Sequence, residues 1–127
     1  MLADVAPTAF VPTTDVERAK NFYVGVLGLE FVEMSPFALV VRSGGTTVRV
    51  TPIESHRPAG YTVLGWTVPD IATHVEWLVS LGVTPLHFDA MDQDDQGVWQ
   101  SPSGAKVAWF CDPDGNTLSL TEGASHQ

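Results

Sequence analysis

The chain has 127 residues, 44% of them hydrophobic, with 6 basic residues against 15 acidic ones and a formal net charge of −9. That length supports one core, no apolar run approaches the ~18 residues of a membrane span, and the negative balance argues against nucleic acid or an anionic membrane as partner while favouring a cationic ligand. One cysteine, Cys111, excludes an internal disulfide framework and fits a reducing cytoplasm, where the chain is expected to reside.

Met1-Leu2-Ala3-Asp4 lacks a basic start and an apolar stretch, so no secretory signal is expected. A short strand, Thr8 to Thr13, runs into a helix whose ends are legible. Thr14 and Glu17 suggest a capping box, Val16, Ala19, Phe22, Tyr23, Val26 and Leu27 recur at helical spacing, and Gly28 suits the C-terminal cap. Strands are expected over about Glu30 to Met34, Phe37 to Arg42 and Thr46 to Ile53. A linker with Pro58 and Gly60 spans about 55–60. A fifth strand, Tyr61 to Val68, precedes a second helix that starts at Asp70, buries Ile71, Val75, Leu78 and Trp77, and stops at Gly82. Further strands are expected over Thr84 to Phe88, Val98 to Ser101 with Lys106 to Cys111, and Asn116 to Glu122, leaving a tail at 123–127.

Between the last two strands lies Asp112-Pro113-Asp114-Gly115-Asn116. Each of these residue types favours a turn for its own reason: preset φ in Pro, positive φ in Gly, local side-chain bonding in Asp and Asn. The layout occurs twice. Gly45 and Gly115 stand 70 positions apart, and Thr46-Thr47-Val48-Arg49-Val50-Thr51 mirrors Asn116-Thr117-Leu118-Ser119-Leu120-Thr121. The chain therefore reads as one β-α-β-β-β unit written twice, about 5–54 and about 61–122.

Several features that could carry chemistry have plainer readings. Asp89, Asp92, Asp94 and Asp95 read as a solvated loop, the alternative being a rim that attracts a cation. His56, His74, His87 and His126 are scattered, with no i, i+4 pair on one helical face. The run from Asp112 superficially suggests a calcium loop, but its Gly is fourth rather than sixth and no Glu occupies the twelfth place. Cys111 has no basic sequence neighbour to lower its pKa and reads as an inert thiol on a strand. No nucleophile elbow, phosphate-binding glycine loop or dinucleotide fingerprint is present.

The paired units, the phrase Asp15-Val16-Glu17-Arg18-Ala19-Lys20-Asn21-Phe22-Tyr23 leading to Val26-Leu27-Gly28-Leu29, and the Asp112 to Asn116 turn resemble the vicinal oxygen chelate superfamily of glyoxalases, extradiol dioxygenases and bleomycin-resistance proteins. The resemblance covers nearly the whole chain. It implies a single α+β domain in which two βαβββ repeats form half-open, barrel-like sheets, each with its helix on the convex side and a ligand cavity on the concave side. Strand alternation then assigns faces. Ala9, Val11, Val48 and Val50 meet the first helix, leaving Thr8, Phe10 and Pro12 with Thr47, Arg49 and Thr51 toward the cavity. In the second repeat Leu64, Trp66, Val68, Leu118 and Leu120 are core, leaving Val63, Gly65 and Thr67 with Thr117, Ser119 and Thr121 toward the ligand. Trp99, and either Trp109 or Phe110 depending on strand register, supply walls, and Trp66 and Trp77 are read as core.

Enzymes of the superfamily hold a divalent metal with His, Glu or Gln at four points, which fall here on Thr8, Arg49, Val63 and Ser119. None is an imidazole or a carboxylate, and the permanent charge of Arg49 would repel a cation. The expectation is thus a metal-free, cofactor-free protein, resembling the bleomycin-resistance branch, that sequesters a small organic compound or antibiotic. Its ligand-binding set is Thr8, Phe10, Arg49, Thr51, Val63, Trp99, Trp109, Thr117 and Ser119, with no metal site and no catalytic residue named. The resemblance also implies a homodimer. The alternative is a divergent metal-dependent lyase, isomerase or dioxygenase; a third reading, metal-free catalysis, has only Arg49 and His87 as candidates.

Overall fold

A computed structural model describes residues 1–123, so His126 and all of the expected tail except Gly123 lie outside the described residues. The order is a short 3₁₀ turn Leu2–Asp4, β1 (Thr8–Thr13), α1 (Val16–Lys20) continued by a wider π-helical stretch Asn21–Val26, β2 (Glu30–Ser35), β3 (Ala38–Ser43), β4 (Thr46–Pro52), β5 (Thr62–Thr67), α2 (Ile71–Ser80), β6 (Trp99–Gln100), β7 (Lys106–Cys111) and β8 (Thr117–Glu122). The fold is α+β, with two four-stranded mixed sheets in the orders β1-β4-β3-β2 and β5-β8-β7-β6. In each sheet the first strand of the repeat lies parallel to the last, and the remaining ladders are antiparallel. No helix among the described residues is long and apolar enough to cross a membrane.

Contacts divide the chain into two compact units. The first is Met1–Pro58 together with Asp112–Gly115; the second is Ala59–Cys111 together with the segment from Asn116 on. In the first unit Val11, Leu39, Val41, Val48 and Val50 are fully buried, and Ala19, Phe22 and Tyr23 fill the helical side of the core. The π-helical stretch closes with Leu27 N–H donating to Phe22 O, five residues back, at 2.8 Å. It sets the Phe22 and Tyr23 rings edge to face at 5.2 Å, a favoured aromatic geometry. In the second unit Ile71, Val75 and Leu78 of α2 are buried, as are Ala108, Phe110, Leu118 and Leu120 of the sheet, with Trp66 half-buried and stacked near Phe110 at 6.4 Å.

Three expectations need correction. The first helix is capped by Asp15, whose carboxylate accepts from Arg18 N–H, while the Thr14 hydroxyl donates to Asp114; the expected Thr14 and Glu17 box does not form. Trp77 is 43% exposed rather than core, because the buried stripe of α2 runs through Ile71, Val75 and Leu78. The segment Thr84 to Phe88 is not a strand. Pro85 removes one ladder donor, the single backbone bond to β7 runs from Leu86 N–H to Trp109 O at 2.8 Å, and the side chain of Gln93 takes up Leu86 O, Gly97 O and Phe88 N–H.

Candidate functional site

The Asp112 to Asn116 turn is a structural clasp of the first unit. Asp112 is 5% exposed and accepts from the Tyr23 hydroxyl at 2.6 Å and from Asp114 N–H at 2.9 Å. The Asp114 side chain is 3% exposed and accepts from Thr13 Oγ1 at 2.5 Å, Thr14 N–H at 2.9 Å, Thr14 Oγ1 at 2.8 Å and Arg18 Nη2 at 2.8 Å. Burial pushes the Asp114 carboxyl pKa up, but the bonds from Thr13 and Thr14 and the Arg18 charge outweigh it and leave the group below the usual carboxylate range. The Tyr23 phenol is driven the other way, first by burial and then by the Asp112 charge it is bonded to. Gly115 holds φ at +82°, and a Cβ there would meet Pro58 Cγ at 2.9 Å, so both the conformation and the space call for glycine. All four oxygens of the two carboxylates accept from protein donors, so the turn is built around its own hydrogen bonds.

On the face of the first sheet opposite its core, the register builds three rows. Thr8, Thr47, Arg42 and Glu30 form one; Phe10, Arg49, Val40 and Glu33 the next; Pro12 with Thr51, and separately Ala38 with Ser35, continue the third. This places the expected Thr8, Phe10, Arg49 and Thr51 together. Phe10 is 65% exposed and Arg49 is exposed beside it. Arg42 is held by Glu30 at 2.7 Å, whereas Arg49 makes no ion pair or hydrogen bond among the described residues. Thr51 Oγ1 is buried without a hydrogen-bond partner.

The second sheet presents its own face. Gly65, Ser119 and Trp109 form one row, and Thr67, Thr121, Val107 and Trp99 the next. The register settles the choice between Trp109 and Phe110: Phe110 is buried against α2's side, and Trp109 lies on the other face. Trp109 stands 6.4 Å from Trp99 and meets Phe88 edge to face at 5.5 Å, making a three-ring wall. Phe88 was not foreseen in the sequence, because its position depends on the Gln93 bonds that replace the expected strand. Val63 falls in the register shift between Thr62 and Leu64, so alternation does not assign it a face, and Gly65 is the β5 residue paired with Ser119. Ser119 is nearly buried over that glycine: a Cβ on Gly65 would approach its Oγ to 2.5 Å. Thr117 pairs with Thr62 and Cys111. His87 lies in the loop, its Nε2 at 3.4 Å from Asp94 O, and the Asp94 carboxylate accepts from Gln96 and Val98 N–H as a loop-shaping group.

A void of about 10 Å³ between α2 and its sheet, whose lining includes Val75, Leu78, Pro85, Trp109 and Phe110, is too small for an organic ligand. The exposed Phe10 and Arg49 on the first sheet and the three-ring wall on the second are surfaces that could meet a molecule. In the first unit Thr8 and Arg49 offer a hydroxyl and a guanidinium, and in the second Val63 and Ser119 offer an aliphatic group and a hydroxyl; neither pair suits a divalent ion. Among the described residues no three His, Cys, Asp or Glu side chains form a set that could hold one.

Paired βαβββ units with open mixed sheets define a glyoxalase-type fold. The chain belongs to the Glyoxalase/Bleomycin resistance protein/Dioxygenase superfamily, whose model matches residues 5–120. A solved member of that superfamily from Sphaerobacter thermophilus DSM 20745 is 27% identical, with a TM-score of 0.74 over 97% of this chain and 100% of that one. An antibiotic binding protein from Streptomyces sp. CB03234 is 23% identical, with a TM-score of 0.73 over 98% and 99% of the two chains. A lactoylglutathione lyase from Agrobacterium tumefaciens is 21% identical, with a TM-score of 0.70 over 94% of each. No curated protein matches the chain in sequence. Binders and enzymes thus share this backbone, and only the site residues separate them.

Proposed function

We propose that the protein binds and sequesters a small organic molecule, an antibiotic or similar compound, without a metal and without transforming it. The observation that carries this reading is the residues at the four points where the resemblance implies metal ligands, Thr8, Arg49, Val63 and Ser119, none of which is an imidazole or a carboxylate and one of which is a permanent cation. The aromatic wall of Phe88, Trp99 and Trp109 and the exposed Phe10 support it, since large rings with a few polar groups suit a planar organic ligand. Likeness to an antibiotic binding protein is consistent with the same role. The competing reading, a metal-dependent lyase, isomerase or dioxygenase, would need ligands from residues that the superfamily does not use at these points.

A thermal-shift screen against natural-product antibiotics and small metabolites tests the proposal, because a ligand at a hundred times its Kd adds about 2.7 kcal/mol of stability. The expected hit stabilises the protein and is recovered chemically unchanged by mass spectrometry. A compound converted to product at catalytic turnover would overturn the reading. We also propose a homodimer, supported by large exposed apolar side chains at Phe37 and Tyr61. Size-exclusion chromatography with light scattering should give twice the chain mass, and a monomer would remove this part of the reading.

A further inference from the structure

We infer that the open face of the first sheet recognises an organic carboxylate with a planar aromatic body, with Arg49 binding the carboxylate and Phe10 the ring. This deepens the sequestration reading and rests on it. Arg49 and Phe10 are cross-strand partners on β4 and β1, so their side chains emerge from the same face of the sheet. Both are exposed. A guanidinium is the donor best shaped for bidentate bonding to a carboxylate.

Among the described residues Arg49, like Arg57 and Lys106, makes no ion pair, in a chain with an excess of acids. Arg18 pairs with Asp114, Arg42 with Glu30, and Lys20 lies 4.9 Å above the Phe31 ring. Glu33 shares the row of Arg49 but stands beyond Val40, two strands away or about 10 Å between Cα atoms, and makes no bond to it. The acid in its own row is therefore not bonded to it, and Glu30 is already engaged by Arg42. Two residues along β4, the buried and unpartnered Thr51 Oγ1 marks a second polar group on the same face with an unmet hydrogen bond. The net charge of −9 does not forbid an anion here, because charges farther than ~8 Å are largely screened at physiological salt.

The probes are naphthoate and its neutral isostere naphthamide, titrated calorimetrically into the intact protein. Wild type should bind naphthoate about tenfold more tightly than naphthamide, from the added charged hydrogen bonds. Arg49→Gln should abolish that preference and leave naphthamide unchanged; Arg49→Lys should keep only part of it, since an ammonium cannot bond in the bidentate fork. Phe10→Ala should weaken both probes. Arg49 and Phe10 are exposed, so the variants should melt with wild type, which the same samples check. Equal affinity for the two probes in wild type, an unchanged preference in Arg49→Gln, or no naphthoate binding at millimolar concentration would overturn the inference. A neutral compound sequestered just as well would leave the binding function standing without its anion preference, whereas turnover of naphthoate would keep the preference and remove sequestration.

Discussion

Replacing Asp114 by Asn keeps the shape of the clasp and removes its charge. The carboxylate gathers four donors on a side chain that is only 3% exposed. The Arg18 partner is 45% exposed, so that ion pair contributes at most ~1 kcal/mol. The bonds from Thr13 and Thr14 matter more, because hydrogen bonds to a charged acceptor are worth roughly 1.5–3 kcal/mol each and Thr13 is fully buried. An Asn retains one acceptor and turns an N–H₂ toward the remaining donors, giving a net loss of about 2–4 kcal/mol. For a chain of this length that lowers Tm by about 8–16 °C. Urea unfolding followed by circular dichroism reads the loss directly, with Arg18→Gln as a control expected to lose no more than ~1 kcal/mol. Because the folded-state pKa of Asp114 lies below its unfolded value, its stabilisation is present above the unfolded pKa of about 4 and is lost as pH falls through the folded one. Wild type should therefore lose its advantage over Asp114→Asn in acid. A variant within ~0.5 kcal/mol of wild type at neutral pH would refute the clasp.

Tyr23→Phe removes the 2.6 Å bond to buried Asp112 and should cost about 1–2 kcal/mol by the same assay. The phenol's pKa is raised on folding, so its contribution is whole below the unfolded value of about 10 and is lost as pH rises through the folded one; in an alkaline titration, one of the two tyrosines should withhold its phenolate absorbance until the chain unfolds. Gly115→Ala combines a φ of +82° with a 2.9 Å approach to Pro58 Cγ and should cost about 1–3 kcal/mol, read in the melting temperature. An aromatic ligand seated on the wall of Phe88, Trp99 and Trp109 should quench tryptophan fluorescence, and Trp109→Phe should diminish the quenching while Trp77→Phe leaves it intact.

The repeat was legible because its signals are local. Asp70 caps α2, Gly28 and Gly82 adopt positive φ at the helix ends, and alternation about Val48, Val50, Leu118 and Leu120 names the core faces. It was also enough to gather Thr8, Phe10, Arg49 and Thr51 on one sheet face. What escaped the sequence depends on partners distant in the chain. Asp114 lies about a hundred residues from Thr13 and Thr14, so its hold on them, and the resulting use of Asp15 as cap, has no local mark. Phe88 joins Trp109 through the loop that Gln93 ties, where a run of β-formers around Pro85 suggested a strand. Val63 falls in a β-bulge, which breaks the alternation that the sequence reading extends through it.

The central claim is that this member of the superfamily works without the superfamily's metal, and metal content tests it most directly. Protein purified without chelator, then soaked in Fe, Mn, Ni or Zn salts and desalted, should carry each metal far below one equivalent by elemental analysis, with no change in ligand affinity. One tightly held equivalent per chain, lost together with ligand binding on treatment with a chelator, would contradict the account.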